Sequence, residues 1–340
     1  MKKTITSLAC SLLFTVAASA QDVHYVQLES TPLAVNPALT GAFDGGVRAS
    51  ALYQNVWGST TIPFVYSGIS FDMPVYIMKD GDYVAIGLQY TKEIAGDGNL
   101  TNSSIIGSVA YHKLLSVFSN KNSRNTDLAV GIQAGYAQQN IDLVSLYMGN
   151  AYYYGPYVGG VSVPYQVGLG NIVSYYPVNA GVSFSQALAP SFSYIAGISG
   201  NNLYQAPTPK DVAPNTRTAM QTQYAGLLGA NWQITQRLSL RPAVYYQVKN
   251  NGNNIIAGNE FHYTLGKKRS NGKFPVSVFA GGWYTTGDNV SITAGAEIKV
   301  FRFGISYMQE EHAVGGMEVM LRYTPPHHSS KNRIVPCTRF

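Results

Sequence analysis

Along its last third the chain alternates apolar and polar residues with a period of two. From Val290 the apolar set is Val290, Ile292, Ala294, Ala296, Ile298 and Val300, with Ser291, Thr293, Gly295, Glu297 and Lys299 between them. Phe301, Phe303, Ile305 and Tyr307 then stand against Arg302, Gly304 and Ser306. A third run sets Met317, Val319, Leu321 and Tyr323 against Glu318, Met320 and Arg322. Successive side chains leave a pleated strand on opposite faces, so this spacing predicts β-strands with one apolar and one polar face. The runs are about ten residues long, the span a tilted strand needs to cross a bilayer. Soluble strands average about five or six. Closing such strands into a barrel also removes the unpaired edges that lipid would not tolerate.

The same reading over the whole chain predicts fourteen strands, near 47–55, 64–73, 82–92, 103–114, 127–138, 178–187, 192–202, 224–234, 237–248, 254–265, 274–284, 290–299, 301–308 and 315–323. The expected fold is all-β, a transmembrane antiparallel β-barrel of about 14 strands. One set of connections is short or basic: Lys79-Asp80-Gly81, Ala187–Ser191, Thr235-Gln236, Gly266–Lys273 and Lys299-Val300-Phe301. The alternate set holds the longest loops, Ile94–Asn102, Gln139–Pro177 and Asn201–Gln223. Outer-membrane barrels turn tightly on the periplasmic side, so periplasmic termini are expected. The Leu115–Thr126 connection is long for such a turn. Gln139–Pro177, with Tyr152-Tyr153-Tyr154 and Tyr175-Tyr176, reads equally as an adaptable contact surface and as a plug in the barrel mouth.

The first residues add an export signal. Lys2-Lys3 precede the apolar run Ile5–Ala18, which ends in Ala18-Ser19-Ala20, so a signal peptide over 1–20 and a mature start at Gln21 are expected. Cys10 sits in mid-run, which disfavours a lipoprotein leader. The expected order is then a periplasmic N-terminal segment (21–46), the barrel (47–324) and a basic periplasmic tail (325–340). Without the leader Cys337 is the one cysteine left, so no internal disulfide is possible. No later stretch approaches the ~18 apolar residues of a membrane helix.

Composition agrees with lipid. Charged residues make up 12%, where soluble domains carry about 25%. Tyrosines number 25, and tyrosine suits the headgroup level, ring in hydrocarbon and hydroxyl in water. The inward positions Glu297, Lys299, Arg302, Glu318 and Arg322 carry both signs and are expected to pair across the lumen, filling it. Lys267, Lys268, Arg269 and Lys273, with the tail, put positive charge on the expected periplasmic side. Such clusters attract an acidic partner or lipid headgroups, or are simply solvated turns.

Catalytic motifs are missing. His24, His112, His262, His312, His327 and His328 form no H-E-x-x-H, and there is neither a G-x-S-x-G elbow nor a phosphate loop. His327-His328, on a tail, reads as a solvated pair. Cys337 reads as a reactive thiol or as a small apolar residue where the tail docks. No enzyme activity, cofactor, metal or nucleic-acid partner is expected.

Several short motifs, in order, resemble one family. Leu33–Gly41, which contains Asn36, Pro37 and Gly41, followed by Tyr53-Gln54-Asn55-Val56-Trp57, is similar to the opening of the PorP/SprF outer-membrane proteins of type IX secretion. Gln138–Asp142 resembles their central motif, and Trp283-Tyr284-Thr285-Thr286-Gly287-Asp288, Gly304–Tyr307 and Gly315–Glu318 their closing strands. Cys337-Thr338-Arg339-Phe340 resembles their last residues. Gln54 and Thr285 stand where the family commonly has Arg, and Thr338 where it has Pro. The resemblance marks Asn36, Pro37, Gly41, Tyr53, Trp57, Asp142, Trp283, Tyr284, Asp288, Tyr307, Cys337, Arg339 and Phe340 as candidate interaction positions. It implies a fourteen-stranded barrel in the outer-membrane lipid, serving protein secretion or gliding. Its implied partners are periplasmic lipoprotein or peptidoglycan-anchoring secretion components and an exported surface protein or adhesin. The rival reading is an uptake channel for small or hydrophobic solutes.

Overall fold

The computed structural model describes residues 26–56, 63–78, 81–96, 99–115, 126–140, 172–204, 222–249, 252–265, 276–286, 289–309 and 315–326. Within them the chain runs through β1 (Arg48–Val56), β2 (Phe64–Ile77), β3 (Tyr83–Ala95), β4 (Leu100–Leu115), β5 (Thr126–Asn140), β6 (Ile172–Tyr175), β7 (Val178–Ala189) and β8 (Phe192–Asn201). It continues with β9 (Gln223–Gln233), β10 (Leu238–Lys249), β11 (Gly252–Leu265), β12 (Val276–Thr285), β13 (Asn289–Ile298), β14 (Phe301–Gln309) and β15 (Gly316–Tyr323). The pairings are antiparallel, and β1 pairs with β15 (Tyr53↔Val319), so the sheet closes on itself.

Fourteen strand positions make the barrel, because β6 and β7 share one. Gln138 of β5 faces Ser174 of β6, and Val130 faces Val182 of β7. Between them Tyr176-Pro177 interrupts the ladder, since proline has no N–H to give it. Each strand expected from the alternation is found at its place, and only β6 lies in what reads as a loop. The wall pairs its own backbone all the way round, which is what allows a sheet to stand in hydrocarbon.

Outward positions are apolar along every strand, with Ile69, Ile132, Leu228 and Ile292 more than 60% exposed. Near the rim where β1 ends and β2 begins the outward set turns to tyrosine: Tyr90, Tyr136, Tyr176, Tyr224 and Tyr246. Tyr53, Tyr284 and Tyr307, marked as candidate interaction positions, belong to this girdle and face outward. Their placement is what a membrane–water boundary asks of an amphipathic ring.

Inward positions alternate with these and are buried, yet the interior is filled by more than wall side chains. Val26–Phe43 lies inside the barrel, every residue buried except the half-buried Ala34. It is a compact string of turns: a 3-10 turn Leu28–Ser30, one α-helical turn Pro32–Val35 and a second 3-10 turn Pro37–Leu39. Proline stands first in two of these turns, where its missing N–H costs nothing. This corrects the expectation of a periplasmic segment before the first strand. The segment shows no period of two because it belongs to no strand, and its partners are side chains scattered over the wall.

Candidate functional site

The segment is a plug, and glycines in the wall make room for it. A Cβ at Gly131 would strike the Pro37 carbonyl, one at Gly181 the Asn36 side chain, and one at Gly304 the Gln27 side chain. Asn36 fills the space so left: its amide nitrogen donates to the carbonyls of Val182 (3.2 Å) and Ile198 (3.1 Å). Its side-chain oxygen accepts from the Ala38 N–H (2.8 Å), capping the next turn. Gly41 has φ +77°, a left-handed conformation open to glycine, and its would-be Cβ position is taken by Ala85. Asn36, Pro37 and Gly41, read from sequence as motif positions, are therefore the residues that seat the plug.

Charged wall residues hold its two ends. At the C-terminal end, Asp72 accepts from the Gly41 N–H (2.6 Å) and from Arg48 Nε (2.9 Å) and Nη2 (2.7 Å), while Arg48 Nη2 also donates to the Leu39 carbonyl (2.9 Å). His112 stacks on Tyr83 and bridges the Thr40 carbonyl (Nε2, 2.8 Å) to Asp127 (Nδ1, 2.9 Å), so each of its contacts needs a proton between the two atoms. At the N-terminal end, both carboxylate oxygens of Glu318 accept backbone N–H groups, from Gln27 (2.9 Å) and Val26 (3.1 Å). The plug's own Glu29 reaches Arg302 (2.7 Å), with Arg241 and Arg322 at 3.6 and 3.9 Å. Arg302 in turn meets Glu260 (2.7 Å) and Glu297 (3.0 Å), and lies 4.0 Å from the Phe279 ring centroid.

Of the inward charges expected to pair across the lumen, Glu297 meets Arg302 and Arg241 directly within the wall, while Arg302 and Arg322 also converge on the plug's Glu29. Glu318 takes backbone N–H groups of the plug rather than a cation, and Lys299 is placed differently again. It sits exposed at the two-residue turn between β13 and β14, with φ +57°, because the alternation ends where the chain reverses. Apolar packing completes the seat: Val26, Leu28, Val35 and Leu39 pack with Ile195, Leu227, Ile256 and Trp283 of the wall. Among the described closing-strand candidates, Trp283 alone points inward. Trp57, Asp142, Asp288, Cys337, Arg339 and Phe340 lie outside the described residues, as do the expected signal peptide and the expected tail beyond Pro326.

Sequence reasoning missed Glu29, Arg48, Asp72, His112 and Asp127. For the four strand residues a usable signal existed, since a charge or a histidine on the polar face of a strand has to find a partner in the lumen; Glu29 lies on no strand and gave none. The alternation gives the face and not the partner.

Above the plug, toward the rim where β1 ends, a cavity of about 200 Å³ remains. Its floor is Leu33, Ala34 and Val35, and its wall is mostly amides and hydroxyls, among them Gln89, Thr91, Asn102, Ser104, Gln223 and Gln247. Gln133 links floor to wall, donating to the Leu33 carbonyl (2.8 Å) and accepting from Asn179 (2.9 Å). The described residues hold no group of histidines, cysteines and carboxylates arranged for a metal.

Solved barrels of similar fold exist at low sequence identity. The Pseudomonas putida toluene transporter TodX is 11% identical with a TM-score of 0.52, covering 92% of this chain and 96% of its own. The Ralstonia pickettii toluene transporter TbuX is 13% identical with a TM-score of 0.51 over the same shares, 92% and 96%. The CymD monoaromatic hydrocarbon channel is 10% identical with a TM-score of 0.52, over 88% of this chain and 94% of its own. At such identities the likeness concerns the fold alone. No curated protein sequence matches. Residues 17–323 match the model of a family described as type IX secretion system membrane protein PorP/SprF.

Proposed function

The chain belongs to the PorP/SprF family of type IX secretion system membrane proteins, and from that premise we propose that it is a non-catalytic holder rather than a conduit. It sits in the outer membrane. In this reading the rim where β1 begins and β15 ends faces the periplasm and engages lipoprotein or peptidoglycan-anchoring secretion components. The opposite rim receives an exported surface protein, which in a gliding cell would be the motility adhesin. The observation that carries the reading is the plug: Val26–Phe43 fills the lumen and is tied to strands all round the wall. A pore for small solutes has no use for a lumen closed by side-chain hydrogen bonds and buried ion pairs.

The rival reading, an uptake channel for hydrophobic solutes, draws on the similar fold of hydrocarbon transporters. The amide-rich cavity speaks against it, because an apolar solute would leave those groups unpaired. The test is capture of the cross-linked barrel from cells, alongside secretion in a deletion strain. Recovery of periplasmic secretion components and loss of a surface protein are expected. A barrel that captures none of them, in cells whose deletion strain secretes normally, ends the proposal.

A further inference from the structure

We propose that the cavity above the plug receives the end of an extended polypeptide, inserted along the barrel axis. This rests on the reading of the barrel as a holder of exported protein, and gives that grip a place and a chemistry. Side-chain amides line the cavity from two opposite stretches of the wall: Gln89 on β3 and Asn102 on neighbouring β4, and Gln223 on β9 and Gln247 on neighbouring β10. Each offers donors and an acceptor together, which is what a peptide main chain presents on alternate sides. Gln247 Nε2 already donates to Gln223 Oε1 (2.7 Å), as neighbouring rungs of an amide ladder would.

Depth points the same way. Gln89, Thr91 and Glu93 face the cavity from successive inward positions of β3, a span of about four residue steps or ~13 Å along the strand. At a barrel tilt of ~40° that is ~10 Å along the axis, the reach of about three extended residues. Among the described residues the lining carries one Glu93 and one Lys249, on nearly opposite sides of the barrel. These two charges are equal and opposite, which suits a main chain better than a polyanion or a polycation. A sugar site would want aromatic platforms, whereas of the two described lining tyrosines Tyr245 is packed in the apolar cluster, which leaves the single ring of Tyr175, held by its hydroxyl to Asn102 (2.9 Å).

The test uses the full-length barrel in detergent and titration calorimetry with an acetylated hexapeptide amide of alternating Gly and Ser. N-acetylglucosamine and toluene are the other probes. Saturable binding of the peptide alone is expected, weakened at least tenfold by Gln89→Leu with Gln247→Leu. Ala34→Trp, which fills the cavity from its floor and leaves the wall intact, should abolish it. Binding of the sugar or toluene in place of the peptide, binding of none, or unchanged peptide affinity in both variants overturns the proposal. In cells, a deletion strain complemented with Ala34→Trp should still yield captured secretion components and fail to retain the surface protein. Normal retention overturns the cavity proposal and leaves the holder function standing. Normal secretion and surface display in the deletion strain itself overturn both.

Discussion

Asp72→Asn should open the barrel without unfolding it. Asp72 accepts three hydrogen bonds, two from Arg48 and one from the Gly41 N–H, and the side chains of the ion pair are only 1–2% exposed. Breaking a buried pair by neutralising one partner costs about 3–5 kcal/mol, because the other charge is left uncompensated. The Gly41 amide adds about 1–3 kcal/mol if it is orphaned as well. The wall cannot relieve this by local unfolding, since its ladder is closed and the alternative is bare backbone in lipid. Withdrawal of the plug can relieve it, by letting water reach Arg48. The perturbation should therefore appear as plug release: conductance in planar bilayers and new protease cleavage between Val26 and Phe43, with the barrel still migrating as a folded species in unheated gels. Arg48→Met with Asp72→Leu separates charge from anchorage. It removes both ions from the wall, yet strips the Leu39 carbonyl and the Gly41 N–H of partners, at about 1–3 kcal/mol each. This double variant should keep the wall's stability and still loosen the plug. An Asp72→Asn barrel that stays silent and protease-resistant would refute the reasoning.

Other outcomes follow from the same seat. Gly131→Val and Gly181→Val put a side chain where the Pro37 carbonyl and the Asn36 side chain now lie; overpacking costs about 1–3 kcal/mol, and each should raise conductance while gel mobility stays that of a folded barrel. Glu29→Gln removes the plug's one charge on Arg302 but leaves Arg302 its wall partners Glu260 and Glu297. A smaller effect than that of Asp72→Asn is expected, about 1.5–3 kcal/mol for a charged hydrogen bond, read as partial protease access. Ile132→Arg, 61% exposed at the middle of β5, should cost about 2–4 kcal/mol of barrel stability. Refolding into vesicles at graded urea would measure it, and an unchanged midpoint would deny Ile132 its place in the lipid. Deleting 26–43 should leave a membrane-inserted barrel that conducts.

How legible this was in the residues differs by layer. Strands were legible because alternation is a local property: Ile292 and Thr293, or Ile305 and Ser306, announce opposite faces without reference to anything else in the chain. Strand length, low charge and abundant tyrosine together placed those faces in lipid and the fourteen-strand closure with them. The opening motif around Asn36, Pro37 and Gly41 stood out in the sequence, but its task did not. Asn36 matters through the carbonyls of Val182 and Ile198, more than 140 positions away, and through the missing Cβ of Gly181. Likewise Asp72 and Arg48 occupy inward positions that the alternation could have marked, while their joint grip on Leu39 and Gly41 depends on a plug that carries no periodic signal. The sequence by itself determined which residues face oil and which face the lumen, since that follows from the pleat. Only the tertiary structure decided what fills the lumen, because the partners of a buried polar group are set by which strands closure brings together.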